Sequence, residues 1–226
     1  KNLRFSVIQK DFIAFVGKNG EGKTTLSRII AGNLDHTSGT SKIGHNVKIG
    51  YYAQNQAEML DPEKTVFQTI DDIATGDIRT RIRNILGSFL FSGETIDKKV
   101  KVLSGGEKSR LALAKLLLEP VNLLILDEPT NELDVYTISW LEDFLADYEN
   151  TVIVVSHDRH FLDAVCTNIA DLDFGKINLY SGNYTFWYQS SQLAAKQRAQ
   201  QNKKAEEKKK ELQEFIQLNG YDKVSG

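Results

Sequence analysis

Short apolar runs alternate with amphipathic stretches over most of the chain. Four runs have the length and composition of strands buried in a sheet, and they cover residues 12–16, 47–52, 121–126 and 151–155. Apolar residues at three- and four-residue spacing predict helices over about 22–33, 136–148 and 111–118, the last continuing a helix that starts at a double glycine. Strands that alternate with helices in this way predict an α/β fold with a layered sheet.

A helical pattern without strand character occupies about residues 62–91. Ile78 and Ile82 are among the apolar residues that recur there at helical spacing. We interpret this stretch as an insert between two parts of the sheet domain, within a helical subdomain over about 60–118. The sheet domain as a whole is predicted to span residues 1–185.

The composition changes near residue 190. Residues 192–217 contain no glycine or proline and are rich in Lys, Gln, Ala and Glu, which predicts a long exposed helix that ends at Asn219-Gly220. Residues 203–210 are polar on every helical face, so this part should project from the body or be held by a partner. Residues 186–226 are therefore predicted to form a charged, linker-like helix with a short tail.

Composition and charge narrow the function only slightly. Of the 226 residues, 41% are hydrophobic and 26% are charged, which is enough apolar material for a core. The net charge of −2 gives no global sign of a nucleic-acid or membrane partner. The single cysteine, Cys166, is interpreted as a small buried residue in a reducing compartment. No apolar run approaches the ~20 residues of a membrane span and no signal peptide is visible, so we expect a cytoplasmic protein without membrane insertion.

The strongest chemical signal is the sequence Gly-Lys-Asn-Gly-Glu-Gly-Lys-Thr at residues 17–24, between a predicted strand and a predicted helix. Its glycines allow a sharp turn in which backbone N–H groups converge on phosphate oxygens, at the positive end of the following helix. A glycine-rich turn without a ligand is the alternative, and the strand and helix on either side disfavour it. The residues predicted to contact ATP here are Gly17, Lys18, Asn19, Gly20, Glu21, Gly22, Lys23, Thr24 and Thr25. Among them, Lys23 suits the β- and γ-phosphates and the Thr24 hydroxyl suits Mg²⁺.

Two acidic residues, Asp127 and Glu128, follow a buried apolar run. A carboxylate at the end of such a strand is unfavourable without a cation, so we predict that Asp127 binds magnesium directly or through water. Glu128 is then placed to orient or deprotonate the attacking water. The alternative is a strand followed by an acidic turn that ends at Pro129 and has no catalytic role, and it would be reasonable if this motif stood alone.

A second anion-binding helix end is predicted at Ser104, Gly105 and Gly106, where a hydroxyl and two glycines precede a helix. These three residues are predicted to contact a nucleotide. Ser104 and Glu107 also have the spacing of a capping box, in which each side chain binds the other's backbone N–H. The two interpretations are compatible because capping sets the geometry that binding uses.

Two further side chains follow predicted strands. His157 comes after residues 152–155 and could donate a hydrogen bond to the γ-phosphate, although a lone histidine at a strand end is usually structural. Gln54 follows residues 47–52 and could reach the metal or the water, although such a glutamine is ordinary by itself. With Glu128, both are predicted to act in catalysis, and Gln54 also joins Thr24 and Asp127 as a candidate metal ligand. The other histidines (His36, His45 and His160) are expected on the surface.

Together these segments resemble the nucleotide-binding cassette of ABC ATPases. The resemblance covers residues 1 to about 185, and its motifs are the phosphate loop at 17–24, Gln54, the signature at 103–107, Asp127-Glu128 and His157. It implies ATP and Mg²⁺ as cofactors and a second cassette as partner, facing the first head to tail. It also implies that Ser104 and Gly106 serve the partner's nucleotide, and that Asp134 belongs to a loop that communicates across the interface.

Several segments resemble one branch of that superfamily, the ABC-F proteins: residues 104–111, 128–131, 156–162 and 180–184, the last leading into the charged helix. The resemblance implies a soluble protein with two cassettes joined by a helical linker, acting on the ribosome near tRNA. The chain from about residue 190 is similar to the first part of such a linker. Its basic residues could meet rRNA phosphates and Tyr184, Trp187 and Tyr188 could stack on bases, or these aromatics could pin the helix to the cassette.

The sequence departs from the ABC-F pattern in four respects. It holds one cassette, the aromatic residue that stacks on adenine would lie upstream of Lys1, Glu132 occupies a common histidine position, and residues 218–222 are unlike a linker. These departures predict a fragment, or a recombined or engineered cassette. Two functional alternatives stay open: the ATPase subunit of a membrane transporter, and a module that binds ATP without hydrolysing it.

Overall fold

The structure is a computed structural model that describes residues 3–53, 55–173 and 175–220, with the backbone alone at residue 77 and residues 217–220. Its central element is a sheet of six described strands in the order β2-β3-β4-β1-β5-β6. The strands are β1 (Phe12–Gly17), β2 (Ile49–Tyr52), β3 (Leu123–Asp127), β4 (Thr151–Val155), β5 (Asn168–Asp173) and β6 (Lys176–Ser181). β1 to β5 pair in parallel, and β6 runs antiparallel to β5.

The predicted strands are confirmed with small shifts in their ends. β4 has the predicted bounds, whereas β3 begins and ends later than expected because Asp127 itself pairs with Val155 in the parallel ladder. β3 and β4 are buried along their whole length, as expected of central strands covered on both faces. A cluster that includes Phe15, Ile125 and Ile153 forms one side of the core.

Helix α1 (Lys23–Ile30) follows β1 directly. It is shorter than the predicted 22–33, because the chain turns at Gly32, whose φ is 75°, and Asn33 N–H donates back to the carbonyl of Arg28 at 2.8 Å. Leu26 and Ile30 pack on the core cluster. The helix is therefore fixed to the sheet by its apolar face, with its N-terminus at the end of β1.

The insert at 62–91 is broken into short helices, α2 (Val66–Asp71), α3 (Asp77–Thr80) and α4 (Ile82–Ser88). The breaks have local causes: Gly76 has a φ of 55°, and Arg81 leaves the helical region at −114°. Gln56–Met59, Gly93–Asp97 and Val100–Val102 form 3₁₀ turns. Helix α5 (Gly105–Leu117) starts at the predicted double glycine and buries its apolar residues from Leu111 onward.

Helix α6 (Val135–Ala146) is the predicted amphipathic helix, and its N-cap is Asp134. Helix α7 (Arg159–Val165) and strands β5 and β6 have no counterpart in the sequence prediction. In α7 the helix start coincides with the Ser-His-Asp motif, where Asp158 caps the helix by accepting from His160 and Phe161 N–H. β5 carries Asp171 and Asp173 and β6 is mostly exposed, so neither has a clear apolar signature.

The chain divides into two compact units, the first ending at Tyr184 and the second starting at Thr185. The described part of the second unit is helical and belongs to α8 (Tyr184–Gly220), which is 37 residues long and has its first residue in the first unit. The helix starts well before the predicted residue 192 and is described as far as Gly220, so the stop expected at Asn219-Gly220 stays a prediction. Its described side chains beyond 194 are exposed. Among the described residues, none of the helices combines the length and apolar content that crossing a bilayer requires.

Candidate functional site

The loop between β1 and α1 requires glycine. A Cβ at Gly17 would lie 2.4 Å from the carbonyl oxygen of Leu172 on the neighbouring strand β5, which is closer than real contacts allow. Gly22 precedes α1 with a φ of 98°, in the left-handed region that side chains rarely adopt. The loop therefore turns sharply enough to direct the first N–H groups of α1 towards a single point.

The ammonium of Lys23 is held within this loop. Its Nζ donates to the carbonyl of Gly17 at 2.9 Å and to that of Lys18 at 3.3 Å, and the residue is 8% exposed. A lysine ammonium has three N–H donors, so two backbone acceptors leave it able to bind a further oxygen. Lys18 and Asn19 are exposed at the rim, Glu21 is half-buried, and Thr24 and Thr25 are exposed at the start of α1.

Asp127 at the end of β3 lies beside Thr24. Its Oδ1 accepts from the Thr24 hydroxyl at 3.1 Å, and its Oδ2 accepts from the Tyr51 hydroxyl at 3.1 Å. Burial raises the pKa of the Asp127 carboxyl above its ordinary value, while the two hydroxyl donors and the charges of Arg28 and Lys23 act in the opposite direction. A buried carboxylate with this balance would be stabilised by a cation.

These residues fit a magnesium ion that arrives with a nucleotide. Within the described part of the chain, no group of three or more His, Cys, Asp and Glu residues could hold a metal alone. Mg²⁺ typically takes one or two carboxylates and completes its shell with phosphate oxygens and water. Asp127 would supply the carboxylate and Thr24 the hydroxyl, and the remaining ligands would come from outside the chain.

Glu128 turns away from the strand and faces His157. Its φ is 53°, an unusual value for a residue with a side chain, and its N–H donates to the carbonyl of Val155 at 2.7 Å. One carboxylate oxygen accepts from His157 N–H at 3.2 Å, and the other lies 3.4 Å from His157 Nε2. Burial raises the pKa of Glu128, and His157 opposes the rise. The pair meets because β3 and β4 are neighbours and both end at this edge.

The segment 104–106 starts helix α5 with the predicted capping box, and its contact with a nucleotide stays a prediction. Ser104 Oγ accepts from Glu107 N–H at 3.3 Å and Glu107 Oε2 accepts from Ser104 N–H at 2.8 Å, so the capping box is confirmed. Ser104 and Gly105 are exposed, and the first-turn amides of Gly105 and Gly106 have no acceptor within the helix. A Cβ on Gly106 would lie 2.8 Å from the carbonyl oxygen of Glu132, so glycine lets loop 130–134 contact the helix.

Loop 130–134 is fixed to α5 by an ion pair. Arg110 Nη1 donates to Asp134 Oδ2 at 2.9 Å, its guanidinium lies 5.0 Å from the centre of the Phe91 ring, and Ser109 donates to Glu132 at 3.0 Å. Burial acts to raise the pKa of Asp134, but hydrogen bonds from Thr137 and the charge of Arg110 hold it below its ordinary value. Sequence reasoning assigned Asp134 and did not find Arg110.

The structure therefore brings together Lys23, Thr24 and Asp127 in one group and Glu128 with His157 in a second. Ser104–Gly106 instead pack beside Glu132. Gln54 lies outside the described residues, so its catalytic and metal-binding roles stay predictions. His36, His45 and His160 are exposed and Cys166 is buried, as expected. Tyr51 was not found from the sequence, although its position in a predicted strand was the available signal.

Comparison with known families agrees with this geometry. A family model described as "ABC transporter" matches residues 1–131, and a second with the same description matches residues 170–225. The chain belongs to the ABC family of ATP-binding cassettes. Cassettes of this family are ATPases, so the predicted recognition and enzyme class are confirmed.

Several curated relatives are longer than this ABC cassette. It is 39% identical to the uncharacterized ABC transporter ATP-binding protein YkpA of Bacillus subtilis. The aligned region covers 89% of this chain and 44% of YkpA. It is 43% identical to the ATP-binding protein Uup of Haemophilus influenzae, over 81% of this chain and 29% of Uup. It is 38% identical to ABC transporter F family member 5 of Arabidopsis thaliana, over 92% of this chain and 30% of that protein. The chain thus spans less than half of each of these relatives, and the resemblance to the ABC-F branch is confirmed.

The fold is also found among solved structures. The dimeric, post-hydrolysis structure of the ATP-binding cassette MJ0796 bound to ADP and Pi aligns with a TM-score of 0.65 and 23% identity, covering 80% of this chain and 89% of that one. At this identity the match concerns the fold. It confirms the predicted α/β P-loop class with a layered sheet and helical segments.

Proposed function

We propose that this ABC cassette hydrolyses ATP at a composite site completed by a second cassette, and that it does so as part of a cytoplasmic ABC-F-type protein that acts on the ribosome. The observation that carries the proposal is the division of the site into two groups. Lys23, Thr24 and Asp127 form a phosphate and metal group beside the Glu128–His157 pair, whereas Ser104–Gly106 lie exposed against Glu132.

Residues of the first group bind and orient the triphosphate. The third N–H donor of the Lys23 ammonium binds a phosphate oxygen, and the amides that follow Gly22 supply further donors. Thr24 and Asp127 would hold the magnesium ion, which neutralises charge that develops on the phosphates during transfer. Gln54 is proposed as a further contact to metal or water.

Glu128 acts on the water that attacks the γ-phosphate. Burial raises the pKa of Glu128, which makes its carboxylate a stronger base than that of an exposed glutamate. The carboxylate accepts the proton from the water, and His157 fixes its orientation through the backbone N–H. The His157 ring is 64% exposed, so it is free to turn towards a γ-phosphate oxygen.

The second cassette supplies the other half of the site. Ser104 and the amides of Gly105 and Gly106 form a preorganised anion-binding end that is accessible on the surface. In a head-to-tail pair this end would grip the γ-phosphate held by the partner's loop, and Asp134 would transmit its position. Support comes from the dimeric state named for the solved cassettes that share the fold.

The ribosomal role is supported by relatives and by α8. The relatives include members of the F family, and a long polar helix follows the cassette. Residues 190–218 contain seven basic and four acidic residues, enough for modest attraction to rRNA or tRNA phosphates. A transporter subunit, docked on a separate permease, would leave this helix without a role.

Oligomeric state and ribosome binding test the two parts of the proposal separately. Glu128→Gln should bind ATP·Mg²⁺, stop turnover and form dimers seen by light scattering, whereas Lys23→Ala should stay monomeric because it loses nucleotide affinity. Glu142→Gln, at a half-buried glutamate that contacts His160 away from the nucleotide groups, is the matched control and should behave like the parent. Dimers that form equally without ATP would contradict the composite site.

Ribosome co-sedimentation addresses the cellular role. We expect the Glu128→Gln protein to pellet with ribosomes in ATP·Mg²⁺ and to be released at higher salt, because phosphate contacts weaken as salt rises. Lys23→Ala should remain in the supernatant. Equal pelleting of both variants would contradict an ATP-dependent ribosomal role while leaving the ATPase assignment intact.

A further inference from the structure

Two adjacent tyrosines end strand β2 and contact opposite sides of the sheet. Successive side chains of a strand point to opposite faces, so Tyr51 and Tyr52 diverge. The Tyr51 hydroxyl donates to Asp127 Oδ2 at 3.1 Å, and the buried Tyr52 hydroxyl donates to the carbonyl of Ser109 on α5 at 3.4 Å. The nucleotide-binding motifs described above assign no role to either tyrosine.

The register of the sheet explains how Tyr51 reaches the metal group. Tyr51 pairs with Ile125 in the parallel β2–β3 ladder, and Asp127 lies two residues beyond Ile125 on the same face. A diagonal neighbour at this offset is within reach of a long aromatic side chain. The contact is therefore imposed by strand pairing and does not depend on a flexible loop.

Tyr51 completes the hydrogen bonding of the Asp127 carboxylate. Thr24 donates to one oxygen and Tyr51 to the other, so the two donors, from different elements, fix the plane of the carboxylate. With Thr24 alone, the carboxylate could rotate and would leave a buried oxygen without a donor. The Asp127 residue is 5% exposed, so bulk water is a poor substitute for the phenol.

We propose that Tyr51 is a positioning residue, whose hydroxyl sets the orientation of the Asp127 carboxylate for the magnesium ion of bound ATP. The role rests on the proposed nucleotide site and adds a contact that its motifs do not contain. Partners of a metal ligand hold that ligand in its binding geometry, and their loss commonly lowers metal affinity about 10- to 100-fold. The ring itself packs on the core cluster, so the hydroxyl can be removed without removing the packing.

The test compares Tyr51→Phe with Tyr148→Phe. The Tyr148 hydroxyl donates to the carbonyl of Val121 at 2.9 Å, so the control also loses one half-buried phenol hydrogen bond at a place away from Asp127. Both changes are made in the Glu128→Gln protein, which should not consume ATP. ATP affinity is measured in excess EDTA and in Mg²⁺, and Mn²⁺ binding to the ATP complex is followed by electron paramagnetic resonance.

Tyr51→Phe should weaken Mn²⁺ binding to the ATP complex about tenfold and leave ATP affinity in EDTA within twofold of the parent. In the protein with Glu128 intact, the same change should raise the Mg²⁺ concentration for half-maximal turnover and preserve kcat at saturating Mg²⁺. Tyr148→Phe should change none of these quantities.

Unchanged Mn²⁺ affinity in Tyr51→Phe would overturn the positioning role and leave the nucleotide site intact. An equal loss of ATP affinity in EDTA and in Mg²⁺ would also overturn it, because it would indicate a general defect of the loop. Failure of the parent to bind ATP at all would overturn the proposed function together with this role.

Discussion

The two glycines at the start of α5 provide a sharp test of how the signature segment is built. A Cβ on Gly106 would lie 2.8 Å from the backbone carbonyl oxygen of Glu132, whereas a Cβ on Gly105 would lie 3.9 Å from the Glu132 carboxylate. Both residues are helical and neither has a positive φ. Alanine is therefore allowed by the backbone at both positions and collides at only one.

The sizes of the two effects follow from this difference. Gly106→Ala must displace loop 130–134, and overpacking of this kind costs about 1–3 kcal/mol. Gly105→Ala should be neutral or stabilise by up to about 1 kcal/mol, since it removes freedom from the unfolded chain without strain. A separation near 2.5 kcal/mol corresponds to roughly 5–10 °C in Tm for a domain of this size.

Urea and thermal unfolding of both variants measure the difference between their free energies of unfolding. The parent protein should have an intermediate stability. Because Gly105→Ala retains stability, any loss of ATP-dependent dimerisation in that variant reports crowding at the nucleotide itself. Equal stability of the two variants, within about 0.5 kcal/mol, would refute the close packing of loop 130–134 on α5.

Three further predictions use single side chains. ATPase activity should fall as the pH drops through the pKa of Glu128, which burial raises above its ordinary value, because the protonated carboxyl no longer accepts a proton. A pH–rate profile that stays flat down to the ordinary glutamate pKa of about 4.3 would contradict this. Burial raises the pKa of the Cys166 thiol to about 12, so a thiol reagent should label the native protein slowly and the urea-unfolded protein quickly; rapid native labelling would exclude the buried position. Glu132→Gln removes a negative charge beside Gly105, where the partner's phosphates are proposed to bind. It should strengthen the ATP-bound Glu128→Gln dimer by about 1 kcal/mol per site at low salt. Weaker dimers in sedimentation would contradict repulsion between the Glu132 carboxylate and the phosphates.

What the sequence predicted well was local. The phosphate loop is a continuous segment whose flanking strand and helix are visible in the apolar pattern, so Lys23 and Thr24 could be placed in advance. The central strands β3 and β4 were recognised because both faces are buried and both are apolar throughout. The meeting of Asp127 with the phosphate loop followed from the family pattern, and in the structure it takes the form of the Thr24–Asp127 hydrogen bond at 3.1 Å.

What the sequence did not show depends on distant pairing. The Tyr51–Asp127 contact joins residues that are 76 positions apart, and only the β2–β3 register brings them together. In the sequence, Arg110 is an ordinary helical arginine, and only the packing of α5 against Asp134 shows its ion pair. The helix breaks at Gly76 and Arg81 could not be predicted, because apolar residues continue at helical spacing across them. Such spacing does not show where the backbone changes direction.

One short loop joins the hydrolytic pair to the signature segment. It leaves β3 at Glu128 with a φ of 53°, reaches a second left-handed residue at Glu132 with a φ of 66°, and ends at Asp134. Along it, Glu128 contacts His157, Glu132 contacts Gly106, and Asp134 pairs with Arg110. Because the loop is anchored at both ends, a displacement at Gly106 by a partner's phosphate must be taken up within a few residues of Glu128. The same loop therefore gives a physical reason why closure onto a second cassette would align the base for hydrolysis.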